Sequence, residues 1–295
     1  MSGKLKEIKL RIKAVKDTQQ ITKAMKMVSA AKLRRAQEAI VQVRPYSQKL
    51  NEVLSNIVAG LDGEVALDLA VEREVEKVLV VLLTSDRGLC GSFNANLQKR
   101  AKALIEDKYK SQSESGNLTL MTIGKKGNEF FSSRFDNINA DHIDLFTRLS
   151  FANTAEIAET IMSDFKSGQY DRVEVVYSKF KNAATQEFST EQFLPIQVNM
   201  EESSSTASND FVYEPDRAEL LKDLVPRILK TYFHRMFLDN NASEHGARMT
   251  SMDNASENCN ELLGDLTILY NRARQAAITT ELTEIVSGAA ALEAS

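Results

Sequence analysis

Hydrophobic residues in the last quarter of the chain recur at helical spacing from Asp216 to about Ser287. Asp216 followed by Glu219 has the pattern of a capping box, which marks the start of a helix. If this helix is continuous, its roughly 60–70 residues measure roughly 90–105 Å, at about 1.5 Å per residue. No globular core covers such a length, since helices in globular proteins average about 11–12 residues. The pattern therefore predicts a helix that lies along another long helix or enters another protein.

A second long helix is predicted at the N-terminus, from Gly3 to about Ile57. A heptad frame fits it, with seam positions that are apolar near both ends and polar or small in the middle. Ile21, Met25 and Val28 form a second apolar stripe outside that seam. Two interpretations stay open. The segment is either a core helix with imperfect periodicity, or a helix with one face on its partner helix and another on a different molecule.

The middle of the chain alternates strand and helix patterns, which indicates an α/β domain with a mainly parallel sheet. The predicted strands are Lys77–Thr84, Leu118–Gly124 and Arg172–Phe180, with a further extended segment at Glu187–Gln197; Asn137–Leu145 is a weaker strand or a loop. The predicted helices are Asn94–Tyr109, Lys125–Arg134 and Thr154–Phe165, and Ser111–Asn117 is a predicted polar loop. Residues 58–76 are an acidic connection, and residues 200–210 are a polar, low-complexity loop.

The predicted fold is α/β plus a long helical coiled coil, with antiparallel N- and C-terminal helices flanking the α/β domain. The expected segments are residues 1–58 for the first long helix, 77–198 for the α/β domain and 212–290 for the second long helix. The second helix is the longer one, so its tail is expected to extend past the first. Residues 275–295 carry only three charged side chains. The tail is therefore an exposed apolar tip that needs a partner, unless it frays.

Charge is distributed unevenly along the chain. Residues 1–50 hold 13 Lys/Arg against 3 Asp/Glu, whereas the whole chain has a formal net charge of −4. A basic segment on an acidic protein implies an acidic partner surface or a nucleic acid. These cations surround the helix instead of lining one face, and no aromatic residues are interleaved with them for base stacking. A protein contact is the favoured interpretation. Nucleic-acid binding, recognisable by a steep salt dependence, is the less favoured one.

Composition excludes several other classes of protein. Hydrophobic residues make up 43% of the chain and charged residues 26%, as in ordinary folded domains. The longest apolar run, Val78–Leu83, is far too short to cross a bilayer. The basic N-terminus lacks an apolar core and a cleavage site, so no secretory signal is predicted. No mitochondrial transit peptide is visible either.

The best candidate for chemistry is the turn Ser85–Gly91, which follows the first predicted strand, where α/β domains bind ligands. Its glycines fit neither a dinucleotide fingerprint nor a Walker A loop, so a tight turn is favoured over a nucleotide site. Cys90 lies near a helix start, but a catalytic thiol also needs a histidine partner. The three histidines have no recognisable spacing, and Cys90 and Cys259 do not have the spacing of metal ligands. Gly246, beside small residues, is expected to allow close helix approach.

Five ordered blocks resemble the gamma subunit family of F-type ATP synthases, the central rotor shaft. They are ITKAMKMVSAAK at residues 21–32, TSDRGLCG at 84–91, ASEHGARM at 242–249, YNRARQAAIT at 270–279 and ELTEIVSGA at 281–289. The blocks span almost the whole chain. The resemblance implies a Rossmann-like α/β domain between the two helices and no catalytic site or cofactor on this chain. It also implies that the helical pair enters a hexamer of alternating alpha and beta subunits.

The resemblance further implies which residues contact partners. Lys23, Met25 and Lys26, with Arg34 and Arg35, would face acidic loops of the beta subunits. Further along the cavity of the hexamer, polar contacts would come from Arg274, Gln275 and Thr279, and contacts with an apolar bearing from Ile278, Leu282 and Ile285. Tyr213 and Glu214 would lie near the membrane ring of c subunits and the epsilon subunit.

The same resemblance implies a location and an origin. The chain would be peripheral on the cytoplasmic face of a bacterial inner membrane, attached only through the complex. It lacks the inserted regulatory cysteine pair of chloroplast relatives, so thiol switching is not expected. Lys26 departs from many relatives, in which this position is acidic. A nucleotide-binding enzyme acting through the turn Ser85–Gly91 remains the alternative function.

Overall fold

A long helix lies at each end of the chain, and strands alternate with shorter helices between them. The computed structural model describes residues 2–59, 68–183, 185–196 and 217–293. The helices are α1 (Ser2–Ala59), α2 (Phe93–Lys108), α3 (Lys110–Glu114), α4 (Lys125–Phe131), α5 (Phe151–Lys166) and α6 (Arg217–Glu293). The strands are β1 (Val78–Leu83), β2 (Leu118–Ile123), β3 (Ile138–Asn139), β4 (Arg172–Phe180) and β5 (Gln186–Leu194). The predicted fold class is confirmed.

The chain forms two compact units. Residues 30–248 form one, which contains the sheet, and residues 1–29 with 249–295 form the other, which contains the ends of α1 and α6. In the sheet unit the strand order is β3-β2-β1-β4-β5, with β5 antiparallel and the other strands parallel. All six residues of β1 are buried because it is the central strand and both faces of the sheet are covered.

Two hydrophobic clusters cover the sheet, one on each face. On one face, Leu79, Val81 and Leu83 pack with α5 and with the part of α6 near Phe233. On the other, alternate residues of β1, among them Val80, pack with α2 and α4. This alternation follows from the two-residue period of a strand. The result is a doubly wound α/β domain.

In the helical unit, α1 and α6 run antiparallel. Gln19 contacts Asn260, Thr22 contacts Ser256 and Lys26 contacts Asp253, so the partner numbers fall as the α1 numbers rise. These polar pairs occupy the stretch where the sequence predicted a polar seam. Apolar side chains, such as Ile8 on α1 and Leu266 on α6, are buried elsewhere in this unit.

One local prediction is wrong. The predicted loop at Ser111–Asn117 contains α3, because the backbone breaks from α2 at Tyr109 and helical turns then resume. The buried Tyr109 donates its hydroxyl to Glu174 of β4 at 2.6 Å, which fixes the break. The segment Asn137–Leu145, predicted as a weak strand or a loop, forms the two-residue strand β3 and then turns, because the side chain of Asn139 accepts the Asp141 N–H at 3.1 Å.

Both prolines that the sequence places in the long helices are accommodated, since α1 continues through Pro45 and α6 through Pro226. Of the helices in the part of the chain that the structure describes, none is long and apolar enough to cross a membrane. The predicted loop at residues 200–210, the proposed contacts Tyr213 and Glu214, and the capping residue Asp216 lie outside the described residues.

Candidate partner-binding surfaces

Two of the basic residues of α1, Arg34 and Arg35, lie on its outer side. Leu33 and Ala36 are buried, so the intervening Arg34 and Arg35 point away from the contact and are exposed. Arg34 is paired with Glu38, one helical turn away on the same face, at 3.0 Å. Such an exposed pair within one helix is weak and is easily exchanged for an acidic partner.

The turn of α1 around Met25 has one side that contacts α6 and another that is exposed. Lys26 is half-exposed and forms an ion pair with Asp253 on α6, so its ammonium group lies at the helix contact. Lys23 is exposed and Met25 is half-buried. Ile21 and Val28 expose 60% and 57% of their surfaces. The second apolar stripe is therefore uncovered, which supports the interpretation of a helix with a further partner.

The C-terminal end of α6 has an uncovered apolar surface. Ala277 is buried, whereas Ile278 on the next position is 48% exposed, and the exposure rises to 67% at Ile285. Every side chain from residue 281 to 290, including Leu282, is exposed. Soluble proteins seldom leave such a surface without a partner.

Polar groups precede this apolar end on the same helix. Arg274, Gln275 and Thr279 are all exposed. The Thr279 hydroxyl donates to the Gln275 carbonyl at 3.0 Å, which leaves its oxygen free to accept a second bond. The predicted contact surface on α6 therefore begins with polar side chains and ends with apolar ones.

At the carboxyl end of β1, the turn Ser85–Gly91 lies beside β4 at the point where the strand order reverses, the position at which related sheets bind nucleotides. Here a residue of α6 fills the position. The Arg248 guanidinium donates to the carbonyls of Arg87 at 2.9 Å and Gly88 at 3.3 Å. Thr84 and Ser85 are fully buried. This packing argues against a nucleotide site at the turn.

Cys90 is a buried thiol that packs against the hydroxyl of Ser85 and accepts a hydrogen bond from the Asn94 amide at 3.3 Å. Burial raises its pKa, so the thiol stays protonated and is a poor nucleophile. His234 is a core residue bonded to Thr154 at 2.9 Å, and burial lowers its pKa. No group of three or more His, Cys, Asp and Glu side chains with the geometry of a metal site occurs among the residues described.

One buried polar cluster was not predicted from the sequence. Glu244 and Arg248 form an ion pair one turn apart on α6, with side chains only 8% and 10% exposed. Burial raises the pKa of the Glu244 carboxyl, and the neighbouring Arg248 opposes that rise. Two charged residues four apart among small residues are the signal in the sequence, but this spacing is far more often a surface pair.

The close approach expected at Gly246 is present. A Cβ atom there would lie 3.0 Å from the Ala183 carbonyl oxygen, nearer than side chains normally come. The neighbouring Arg248 contacts Arg87 and Gly88. The blocks at residues 84–91 and 242–249 are therefore in contact, although they lie far apart in the sequence.

Comparison with known proteins identifies close relatives along the whole chain. A family model described as ATP synthase matches residues 4–292. The ATP synthase gamma chain of Cytophaga hutchinsonii is 50% identical over 98% of each chain. A chain of the Tetrahymena thermophila mitochondrial ATP synthase, in a structure of its central stalk and c ring, is 25% identical and superposes with a TM-score of 0.56, covering 80% of this chain and 99% of that one. A Euglena gracilis mitochondrial ATP synthase chain is 24% identical and has the same fold, with a TM-score of 0.70 over 100% of this chain and 96% of that one.

Proposed function

This chain belongs to the family of ATP synthase gamma chains, and we propose that it is the central-stalk rotor of a proton-translocating F-type ATP synthase. The family predicted from the sequence motifs is confirmed. The observation that carries the proposed role is the antiparallel helical pair, whose outer surfaces are basic on α1 and apolar at the end of α6. Those surfaces need partners.

In this role the chain couples rotation of the membrane c ring to ATP synthesis or hydrolysis on a hexamer of alternating alpha and beta subunits. Residues 1–58 and 212–290 form the shaft and residues 77–198 form the α/β domain. At any moment the three catalytic sites have different conformations, and the shaft makes different contacts with each of them. Coupling then follows from contacts that differ between the states of a partner.

The proposed contacts with the hexamer follow the exposed surfaces. The exposed cations of α1, among them Lys23, Arg34 and Arg35, attract acidic loops over several ångströms. We assign Met25 and Lys26 to the same contact, through the exposed parts of their half-buried side chains. On α6 the contacts run from the polar to the apolar end, through Arg274, Gln275, Ile278, Thr279, Leu282 and Ile285.

The other partners are the epsilon subunit and the c ring, with Tyr213 and Glu214 on that side. We propose that the complex lies on the cytoplasmic face of a bacterial inner membrane. This chain then associates with the membrane only through the complex. The Tetrahymena relative comes from a structure described as central stalk and c ring, which supports this arrangement.

The chain itself is proposed to be non-catalytic. The position at the carboxyl end of β1, which an α/β enzyme would use for a ligand, is filled by Arg248. Catalysis then belongs to the hexamer. The competing function, a nucleotide-binding enzyme, predicts tight nucleotide binding that depends on the turn Ser85–Gly91.

Co-purification from the native host tests the role directly. A tag in the exposed segment near Ser115 leaves both long helices intact. We expect two larger subunits in threefold excess over this chain, together with Mg-ATPase activity. Recovery of this chain alone under gentle conditions contradicts the proposal.

A charge-neutralising variant tests the proposed contact of Arg34 and Arg35 with the hexamer. Arg34→Gln with Arg35→Gln should weaken assembly or ATP-driven proton pumping and leave the stability of the purified chain nearly unchanged, since both side chains are exposed. Lys102→Gln with Lys110→Gln is the matched control, because it removes the same charge from exposed pairs one turn apart in the α/β domain. Equal pumping by both variants would remove the electrostatic argument.

A further inference from the structure

The long helix α6 contacts the sheet in two different ways. From Val225 to Phe237 it packs mainly by apolar side chains against one face of the sheet, with one hydrogen bond from the Tyr232 hydroxyl to the Glu191 side chain of β5. Beyond Leu238 it reaches the carboxyl ends of β1 and β4, and its contacts there are mostly polar. Apolar burial is non-directional and tolerates small rotations, whereas hydrogen bonds to backbone groups require one orientation.

The first contact with the backbone of the sheet beyond Leu238 is with Ser178 of β4. The Asn240 side chain accepts the Ser178 N–H at 3.1 Å, and the Ser243 hydroxyl donates to the Ser178 carbonyl at 3.2 Å. One backbone residue of the sheet is therefore held by two side chains of the helix.

The next two contacts lie on the following turn of α6. Gly246 approaches the backbone of Ala183 so closely that a Cβ atom would lie 3.0 Å from its carbonyl oxygen. Arg248 donates to the carbonyls of Arg87 and Gly88 and is held in place by Glu244. Rotating or sliding the helix by one residue would break all of these contacts together.

This polar cluster is a poor way to obtain stability. A buried ion pair is often no more stable than apolar residues of the same volume. Moreover, the Asn240 Nδ2 and Ser178 Oγ atoms are buried and have no hydrogen-bond partner within the described ranges. Unsatisfied buried groups lower stability. The arrangement is better explained by a need for fixed orientation.

We propose that residues 240–248 of α6 form a joint that fixes the long helix in rotation to the α/β domain, with Arg248 as its positioning residue. The proposal rests on the rotor function proposed above. Torque applied to the α/β domain has to pass into α6, and directional contacts resist twisting where apolar packing yields. Arg248 suits the position because its planar fork bonds two carbonyls of a single turn at once.

The test uses the double variant Glu244→Gln with Arg248→Met in the assembled complex. Both charges are removed together, so no unpaired charge is left buried. We expect the purified chain to unfold at an unchanged or higher urea concentration. In membrane vesicles we expect the ratio of protons pumped to ATP hydrolysed to fall several-fold. Lys230→Met is the matched control, since it breaks an ion pair of the same helix, with Glu159 at 2.7 Å, outside the joint.

Arg248→Lys provides a second variant if the double variant folds poorly. Lysine keeps the charge but cannot bond two carbonyls as a fork, so pumping per ATP should fall by a smaller factor. If the variant that retains its fold pumps as many protons per ATP hydrolysed as the unmodified chain, the proposed joint is refuted. Failure of the unmodified chain to assemble or pump refutes the rotor function instead, so the two failures are distinguishable.

Discussion

Replacing Asp239 by asparagine should stabilise the α/β unit, and more strongly at pH 8 than at pH 4. Asp239 lies on α6 and is 8% exposed. The Nε of Arg235 lies 3.8 Å from its carboxylate, too far for a hydrogen bond. Burial raises the pKa of Asp239 to about 6 from 3.8, a rise that Arg235 opposes and the nearby Glu191 adds to.

The sign and size follow from proton linkage. Because the folded pKa is above the unfolded one, the carboxyl favours folding below pH 3.8, and that contribution is lost as the pH rises through 6. The loss reaches about 3 kcal/mol at pH 8 and is about 0.5 kcal/mol at pH 4, taking 1.36 kcal/mol for each pKa unit. Asparagine does not ionise. The gain on substitution should therefore be about 2 kcal/mol larger at pH 8 than at pH 4.

Urea unfolding of the purified full chain, followed by circular dichroism at both pH values, measures this difference. All other titrating groups are common to both proteins and cancel. Asp136→Asn is the matched control, since it removes the same charge from an exposed carboxyl. A gain for Asp239→Asn that is equal at pH 4 and pH 8 refutes the reasoning from burial.

Three further substitutions test other parts of the chain. Burial and Arg248 lower the pKa of His245 to about 4, so its contribution is present above pH 6.5 and lost as the pH falls through 4. His245→Gln should therefore lose about 2 kcal/mol less stability between pH 7 and pH 5 than the unmodified chain, measured by urea unfolding; an equal loss contradicts this. Gly246→Ala should cost about 1–3 kcal/mol because its Cβ meets a backbone oxygen. Gly264→Ala, where nothing lies within 4 Å, should be neutral or stabilising; similar unfolding midpoints for the two would count against close packing. Met25→Lys adds a cation beside the exposed stripe of α1 and should lower proton pumping per ATP hydrolysed; an unaltered ratio argues against that contact.

Sequence pattern alone predicted every long element, because each has a local cause. The six apolar residues of β1 need burial on both faces, and the spacing of leucines along α6 needs a helix. The polar middle of the α1 seam was visible too. The sequence motifs indicated the family, and the family in turn implied which surfaces of α1 and of the end of α6 contact partners.

Local pattern failed where a distant residue decides the outcome. The break before α3 depends on the Tyr109 hydroxyl reaching Glu174, which lies 65 positions away in the sequence. Nothing in the sequence of residues 111–117 records that contact, and their polar composition favoured a loop.

What the sequence determined, then, is which segments are helix or strand and which faces of them are apolar, since periodicity alone encodes both. The tertiary structure decided which polar groups are buried together. Arg248 meets the carbonyl of Arg87 across 161 positions, and the burial of Asp239 raises its pKa to about 6. Hydrogen bonding and desolvation depend on distances of a few ångströms between groups that folding brings together. Such distances have no counterpart in residue spacing along the chain.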